Sequence, residues 1–208
     1  WGQTTPRARA AELYRYCLQH LEYERKFDTS RGLYRIFYYD CPPLAKTVYH
    51  PMQKRGIDFR QSDTFKWMNA FLEELKKRRK IALRMGELSD EFAHFSISPD
   101  VVKQLFLGKK DLADIREDDF NISFSQKGVD MKIGSLAYKK QVDQIILISG
   151  DSDFVPAAKL ARREGIDFIL DPLWASIKPN LHEHIDGLRS NWKKRPAVSS
   201  QTEETQKR

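Results

Sequence analysis

Residues 143 to 171 read DQIILISGDSDFVPAAKLARREGIDFILD, and no other stretch limits the possible folds as strongly. Two apolar runs of strand length flank a segment whose apolar residues recur at helical spacing and which Gly165 closes. Near-continuous apolar strands separated by an amphipathic helix require parallel pairing, because only a crossover of this kind returns the chain to the same sheet edge. The rest of the chain extends the pattern. Residues 6–26 place Leu13, Cys17, Leu18 and Leu21 on one helical face, and LYRIFYYD at 33–40 reads as a strand stopped by Cys41-Pro42-Pro43. A second helix is predicted over 62–80, with Ser62 or Asp63 as its cap and Phe65, Met68, Phe71, Leu72 and Leu75 as its apolar stripe.

A strand is predicted at 81–88, and 89–118 reads as a helical insertion over the domain, with a capped helix at 98–108 and a helical turn at 111–115. Beyond it, residues 119–124 alternate like a half-buried strand, 126–141 read as a helix and 177–188 as a short final helix. From 191 onward the chain is polar and is expected to be a disordered basic tail, leaving one domain at 1–190. The expected fold is α/β, a three-layer Rossmann-like domain with a mostly parallel central sheet and helices on both faces.

Composition excludes some alternatives. Apolar residues make up 40% of the 208 and no apolar run approaches the roughly 18 needed to cross a bilayer, so no membrane association is expected. With no export signal in view, a cytoplasmic location and reduced thiols at Cys17 and Cys41 are the expectation. The net charge of +7 suits a polyanionic partner without requiring one; five cations against two glutamates in the tail supply three of those charges.

In parallel α/β sheets, ligands bind beyond the carboxyl ends of the strands, and Asp40, Asp151 and Asp171 each stand at such an end. Asp153 reads as the N-cap of the helix that follows it, with Pro156 tolerated in the first turn. Asp151 then has no capping duty. One reading makes GDSD an ordinary polar turn. The other aims the two carboxylates at one hard cation, Mg²⁺ or Mn²⁺, which takes a few carboxylates and keeps several waters. Upstream, Asp130 lies between Lys127 and Lys132 at the start of a predicted helix, where the dipole alone would favour an acid; the flanking lysines suit a site holding a cation and a phosphodiester.

KGVDMKIG, VDQIILISGDSDFVPAAKLARREG, ILDP and HIDGL, together with the strand RIFYYDCPP, resemble the NYN-domain proteins of the LabA-like branch, which share the PIN-type nuclease fold. The resemblance runs over most of residues 6–190 and is strongest at SGDSDF. It implies a metal-dependent ribonuclease in which Asp130, Asp151 and Asp153 hold Mg²⁺ or Mn²⁺ and so carry the catalysis. Ser149 and Ser152 match the polar residues beside those acids, and with Lys127 and Lys132 they form the expected substrate contacts. Asp186 matches a recurrent acid of unassigned role. Relatives open on a strand with an IDG.N-like motif and carry a further acid where this chain runs from Gly134 to Ser135; the expectation is that both segments lie outside the sequence as given.

The expected partner is RNA, with a second copy of the chain or a protein partner as further possibilities. The competing readings are a catalytically inactive module of the same fold that binds RNA or a protein, and a phosphatase built on DxD. The five histidines show no metal spacing, and no nucleophile elbow or Cys-His pair is present. Tyr34, Phe37, Tyr38 and Tyr39 alternate between the faces of one strand and read as core. The KKRRK run at 76–80 complements a helix C-terminus before it offers a phosphate track, and Arg162 with Arg163 are the better cations for RNA.

Overall fold

The computed structural model describes residues 4–127, 141–149 and 151–191, and the chain divides into two compact units, residues 1–131 and 132–208. In the first unit, α1 (Pro6–Arg25) begins on Thr5, whose hydroxyl accepts from the Ala8 amide at 3.2 Å. Helix α2 (Asp63–Lys76) begins on Ser62, whose hydroxyl accepts from Phe65 N–H at 3.1 Å, so of the two expected caps the serine is used. Strands β1 (Ile36–Asp40) and β4 (Ile81–Met85) pair in parallel, from Ile36 opposite Ile81 to Asp40 opposite Met85. The core of the unit forms where α1 and α2 meet this pair: Ala10, Phe71, Leu72 and Leu75 are buried, with Leu13, Tyr38, Trp67, Ile81 and Leu83 packed around them. Trp67 stacks on Phe71 at 5.3 Å and donates its indole N–H to Thr4 O.

Two elements of this unit depart from the sequence reading. A hairpin, β2 (Thr47–His50) with β3 (Arg55–Asp58), occupies a stretch with no predicted element. Strand β2 alternates cleanly, with Val48 and His50 buried; the His50 ring sits 4.4 Å from that of Phe95 and 5.3 Å from that of Phe120, and its Nδ1 accepts from Gln53 N–H. The predicted strand at 81–88 is in fact two strands. After β4 the chain turns at Gly86 into β5 (Glu87–Ile97), which pairs antiparallel with β6 (Phe120–Lys127) across a register shift between Ser89 and His94. Residues 89–97 are therefore extended, and the helical part of the expected insertion is confined to α3 (Pro99–Phe106) and two 3₁₀ turns, Leu112–Asp114 and Glu117–Asp119.

The second unit follows the opening motif closely. Strand β7 (Gln144–Ile148), helix α4 (Val155–Arg163) and β8 (Asp167–Asp171) form the expected β-α-β, with β7 and β8 parallel from Gln144 opposite Asp167 to Ile148 opposite Asp171. Gly165 takes the left-handed conformation at φ 78°, which lets the chain leave α4 and enter β8 without a Cβ penalty. Ala158 and Ala161 of α4 are fully buried, as are Phe168 and Leu170 of β8.

The expected helix at 177–188 is a single turn, α5 (Pro179–His182), followed by β9 (Gly187–Leu188), which adds a third parallel strand beside β8. The reason is Asp186. Its N–H donates to Phe168 O at 2.8 Å, its Oδ2 accepts from Phe168 N–H at 2.9 Å, and its Oδ1 accepts from Arg162 Nε at 2.8 Å. These bonds draw residues 186–188 into the sheet and out of the helix. Three of the five strand pairs among the described residues are parallel, so the mixed α/β class is present, in four small sheets.

Candidate functional site at the end of strand β7

The carboxyl end of β7 carries Ser149, Asp151 and Asp153 on one turn. The backbone enters a 3₁₀ turn at Ser152–Phe154 that runs directly into α4. Helical structure thus begins two residues earlier than a cap at Asp153 implies, and the capping duty moves with it. Asp151 Oδ1 accepts from Asp153 N–H at 3.1 Å, as an N-cap carboxylate does, while the Asp151 amide donates to Ser149 Oγ at 3.2 Å. The expected assignment of the cap to Asp153 is therefore reversed. Helix α4 itself has Phe154 in the cap position with no side-chain bond. Both carboxylates are exposed and Ser149 is half-buried.

Two carboxylates and a hydroxyl form an all-oxygen donor set, which suits Mg²⁺ or Mn²⁺ better than a softer ion. The single N–H on Asp151 Oδ1 leaves that oxygen a lone pair and leaves Oδ2 available. No group of three or more His, Cys, Asp or Glu side chains able to hold a metal occurs among the described residues. Two carboxylates could hold such an ion with water and substrate completing its shell. Asp130 and Lys132 lie outside the described residues. Lys127 is the last residue of β6, in the first unit, where its backbone pairs opposite Glu87.

The other acids at strand ends are occupied. Asp40 accepts from Tyr38 OH at 2.8 Å through Oδ2 and from Cys41 N–H at 2.8 Å through Oδ1. Burial first, then the Asp40 contact, pushes the Tyr38 phenol well above its ordinary value, so the hydroxyl stays protonated and the bond persists. Burial and the same carboxylate also push the Cys41 thiol up, which makes it a poor nucleophile. Asp171 is fully buried; its Oδ1 accepts from Leu173 N–H at 2.9 Å and from Ser190 Oγ at 2.8 Å.

Arg162, expected to contact RNA, instead bonds to Asp186 and donates from Nη1 to Glu183 O at 3.0 Å. Arg163 is three-quarters exposed and lies 3.7 Å from Glu164. Of the aromatics in and before β1, Tyr38 joins the core, Arg84 lies over the Phe37 ring at 5.2 Å, and Tyr34 is exposed.

One feature of this sheet edge is absent from the sequence reading. Pro172–Ala175 form a tight turn directly after β8, closed by Ala175 N–H to Pro172 O at 2.9 Å, in which Leu173 and Trp174 are both left-handed, at φ 51° and 66°. No helix among the described residues is long and apolar enough to cross a membrane.

Comparison with known proteins places this edge in a family region. The NYN domain model matches residues 102–178, just over a third of the chain, from within α3 to the residue before α5. That stretch contains Asp130, the Ser149–Asp153 turn and Trp174, and the family is generally nuclease-like. No curated protein and no solved structure matches the chain.

Proposed function

We propose that this chain is a metal-dependent ribonuclease of the LabA-like NYN type, with Asp151 and Asp153 holding Mg²⁺ or Mn²⁺ and Asp130 completing the acid set. The observation that carries the reading is the pair of exposed carboxylates on the turn at the carboxyl end of a parallel strand, inside the NYN-matched region. A bound divalent ion of this kind lowers the pKa of a coordinated water and neutralises charge on a phosphate oxygen. The side chains do the rest. Asp151 and Asp153 are exposed on the turn that leads into α4, whose N-terminal dipole favours negative charge. The Asp153 N–H to Asp151 Oδ1 bond fixes the Asp151 carboxylate against rotation. Ser149 and Ser152 would contact the scissile phosphate, and Lys132 would offset the charge of its neighbours.

A catalytically inactive module that binds RNA or a protein partner is the second reading.

Cleavage of a labelled single-stranded RNA, with Mn²⁺ and with EDTA, by the full chain and by Asp151→Asn separates the two. Cleavage that needs the ion and disappears in Asp151→Asn supports the nuclease. RNA retained in EDTA with no cleavage by either protein leaves the binding module.

A further inference from the structure

The turn after β8 carries backbone strain at two consecutive residues. Two consecutive left-handed residues are ordinarily Asn or Gly, because a bulky L-residue there crowds its own backbone; here they are Leu173 and Trp174. The turn is nevertheless held firmly. The fully buried Asp171 carboxylate accepts from Leu173 N–H and from Ser190 Oγ, tying the turn to the chain just past β9. Both apolar side chains keep about half their surface in solvent: Leu173 is 51% and Trp174 52% exposed. A buried carboxylate thus fixes a strained turn whose side chains remain half in solvent, and local strain of this kind gathers at ligand-binding sites.

The turn's position names the ligand. Strands β7 and β8 are adjacent and parallel, and Ile148 lies opposite Asp171. The acidic turn that begins at Ser149 and the Trp174 turn that begins at Pro172 therefore leave the same edge of the sheet, from strands about 4.8 Å apart. An aromatic face next to a site for a phosphodiester suits the base of a neighbouring nucleotide, since an indole stacks on any base and requires no particular hydrogen-bond pattern.

We infer that Trp174 is a nucleobase-stacking platform, which holds one base of a single-stranded nucleic acid while the acidic turn faces the backbone beside it. The inference rests on the proposed function for the presence of nucleic acid at this edge. It adds a contact to the base itself, which neither the acids nor Lys132 supply.

The test is equilibrium binding of the full chain, by fluorescence anisotropy in EDTA, to a short single-stranded RNA and to an oligomer of the same length lacking its bases. The wild type should prefer the base-bearing strand. Trp174→Ala should weaken that strand roughly five- to hundredfold and leave the abasic one unchanged, while Trp174→Phe retains most of the preference. Because the indole is half exposed, both variants should melt close to the wild type. Equal binding of the base-bearing strand by wild type and Trp174→Ala overturns the inference, as does a wild type that binds neither strand. Metal-dependent cleavage by the wild type is read separately. Base-dependent binding through Trp174 without cleavage defeats the nuclease and keeps the platform; cleavage with Trp174→Ala binding as wild type defeats the platform and keeps the nuclease.

Discussion

Asp186 joins three elements of the second unit, and its removal should be felt in stability. In Asp186→Ala two separate contacts disappear. The N–H of Phe168, in a residue with no solvent exposure, loses the carboxylate oxygen it reaches at 2.9 Å. A buried donor left without an acceptor costs about 1–3 kcal/mol. Arg162 loses its partner at 2.8 Å, but both side chains are roughly a third exposed, at 39% and 33%, so solvent screening limits this pair to about 0.2–1 kcal/mol. The amide bond dominates, and together they amount to about 2–3 kcal/mol. Asp186→Asn keeps an oxygen for the amide and removes the charge, so it should cost about 1 kcal/mol or less. Urea unfolding of the full chain measures all three proteins, and the midpoint should fall with little change in slope. The Arg162→Ala/Asp186→Ala double-mutant cycle should return a coupling no larger than about 1 kcal/mol. An Asp186→Ala variant within about 0.5 kcal/mol of wild type would refute the reasoning. So would an Asp186→Asn variant as unstable as the alanine, since that would place the energy in the charge and not in the bond to Phe168.

The double duty of Asp151 predicts that its two substitutions part company. Asparagine caps as well as aspartate, so Asp151→Asn should unfold within a few tenths of a kcal/mol of wild type while Asp151→Ala loses about 1 kcal/mol, both read by urea midpoint; equal stabilities would remove the capping assignment. A third expectation concerns acid. The Lys110 ammonium, hydrogen-bonded to Asp119 at 2.5 Å, and then the Arg116 N–H at 2.7 Å hold the Asp119 carboxyl below its ordinary value. A carboxyl depressed in the folded state contributes stability that is present above its unfolded pKa of about 3.9 and is lost as pH falls through the lower folded value. Asp119→Asn should therefore flatten the acid limb of stability against pH, and an unchanged limb would show that the pair contributes nothing.

The parts of the fold that were legible in the sequence are those where the local signal and the tertiary structure agree. IILI, the AAKLA face, Gly165 and DFILD each specify their own element, and β7, α4 and β8 follow. The β2–β3 hairpin was not legible. Its turn runs through Pro51 and Lys54, the latter left-handed at φ 50°, with none of the Asn-Gly or Asp-Gly pairs that announce such turns. Its inward residues, Val48 and His50, are also too few to set a period. Strand β5 was hidden by small and polar residues around its register shift, and SDEFAHFSI reads as a strand only once β6 lies beside it. HIDGL carries no strand signal either. It is extended because Asp186 bonds to Phe168, eighteen residues earlier in the chain.

The candidate site shows the same division at the level of single acids. The rule that ligands gather at the carboxyl ends of parallel strands nominated Asp40, Asp151 and Asp171 on equal terms. What separates them is where their lone pairs already point. Both Asp40 oxygens are taken, by Tyr38 and Cys41, and Asp171 is fully buried with Leu173 and Ser190 on one oxygen. Among the described residues Asp151 takes only the short-range amide of Asp153, and it remains exposed beside a second exposed carboxylate. A carboxylate serves a substrate or an ion only if the fold has left it oxygens to offer. The donors that decide this range from the next residue to one nineteen positions away, so local pattern proposes the candidates and the packed chain selects among them. By that criterion Asp151, after β7, is the acid left with oxygens to offer, whereas the buried Asp171 that closes β8 holds the turn after it in place.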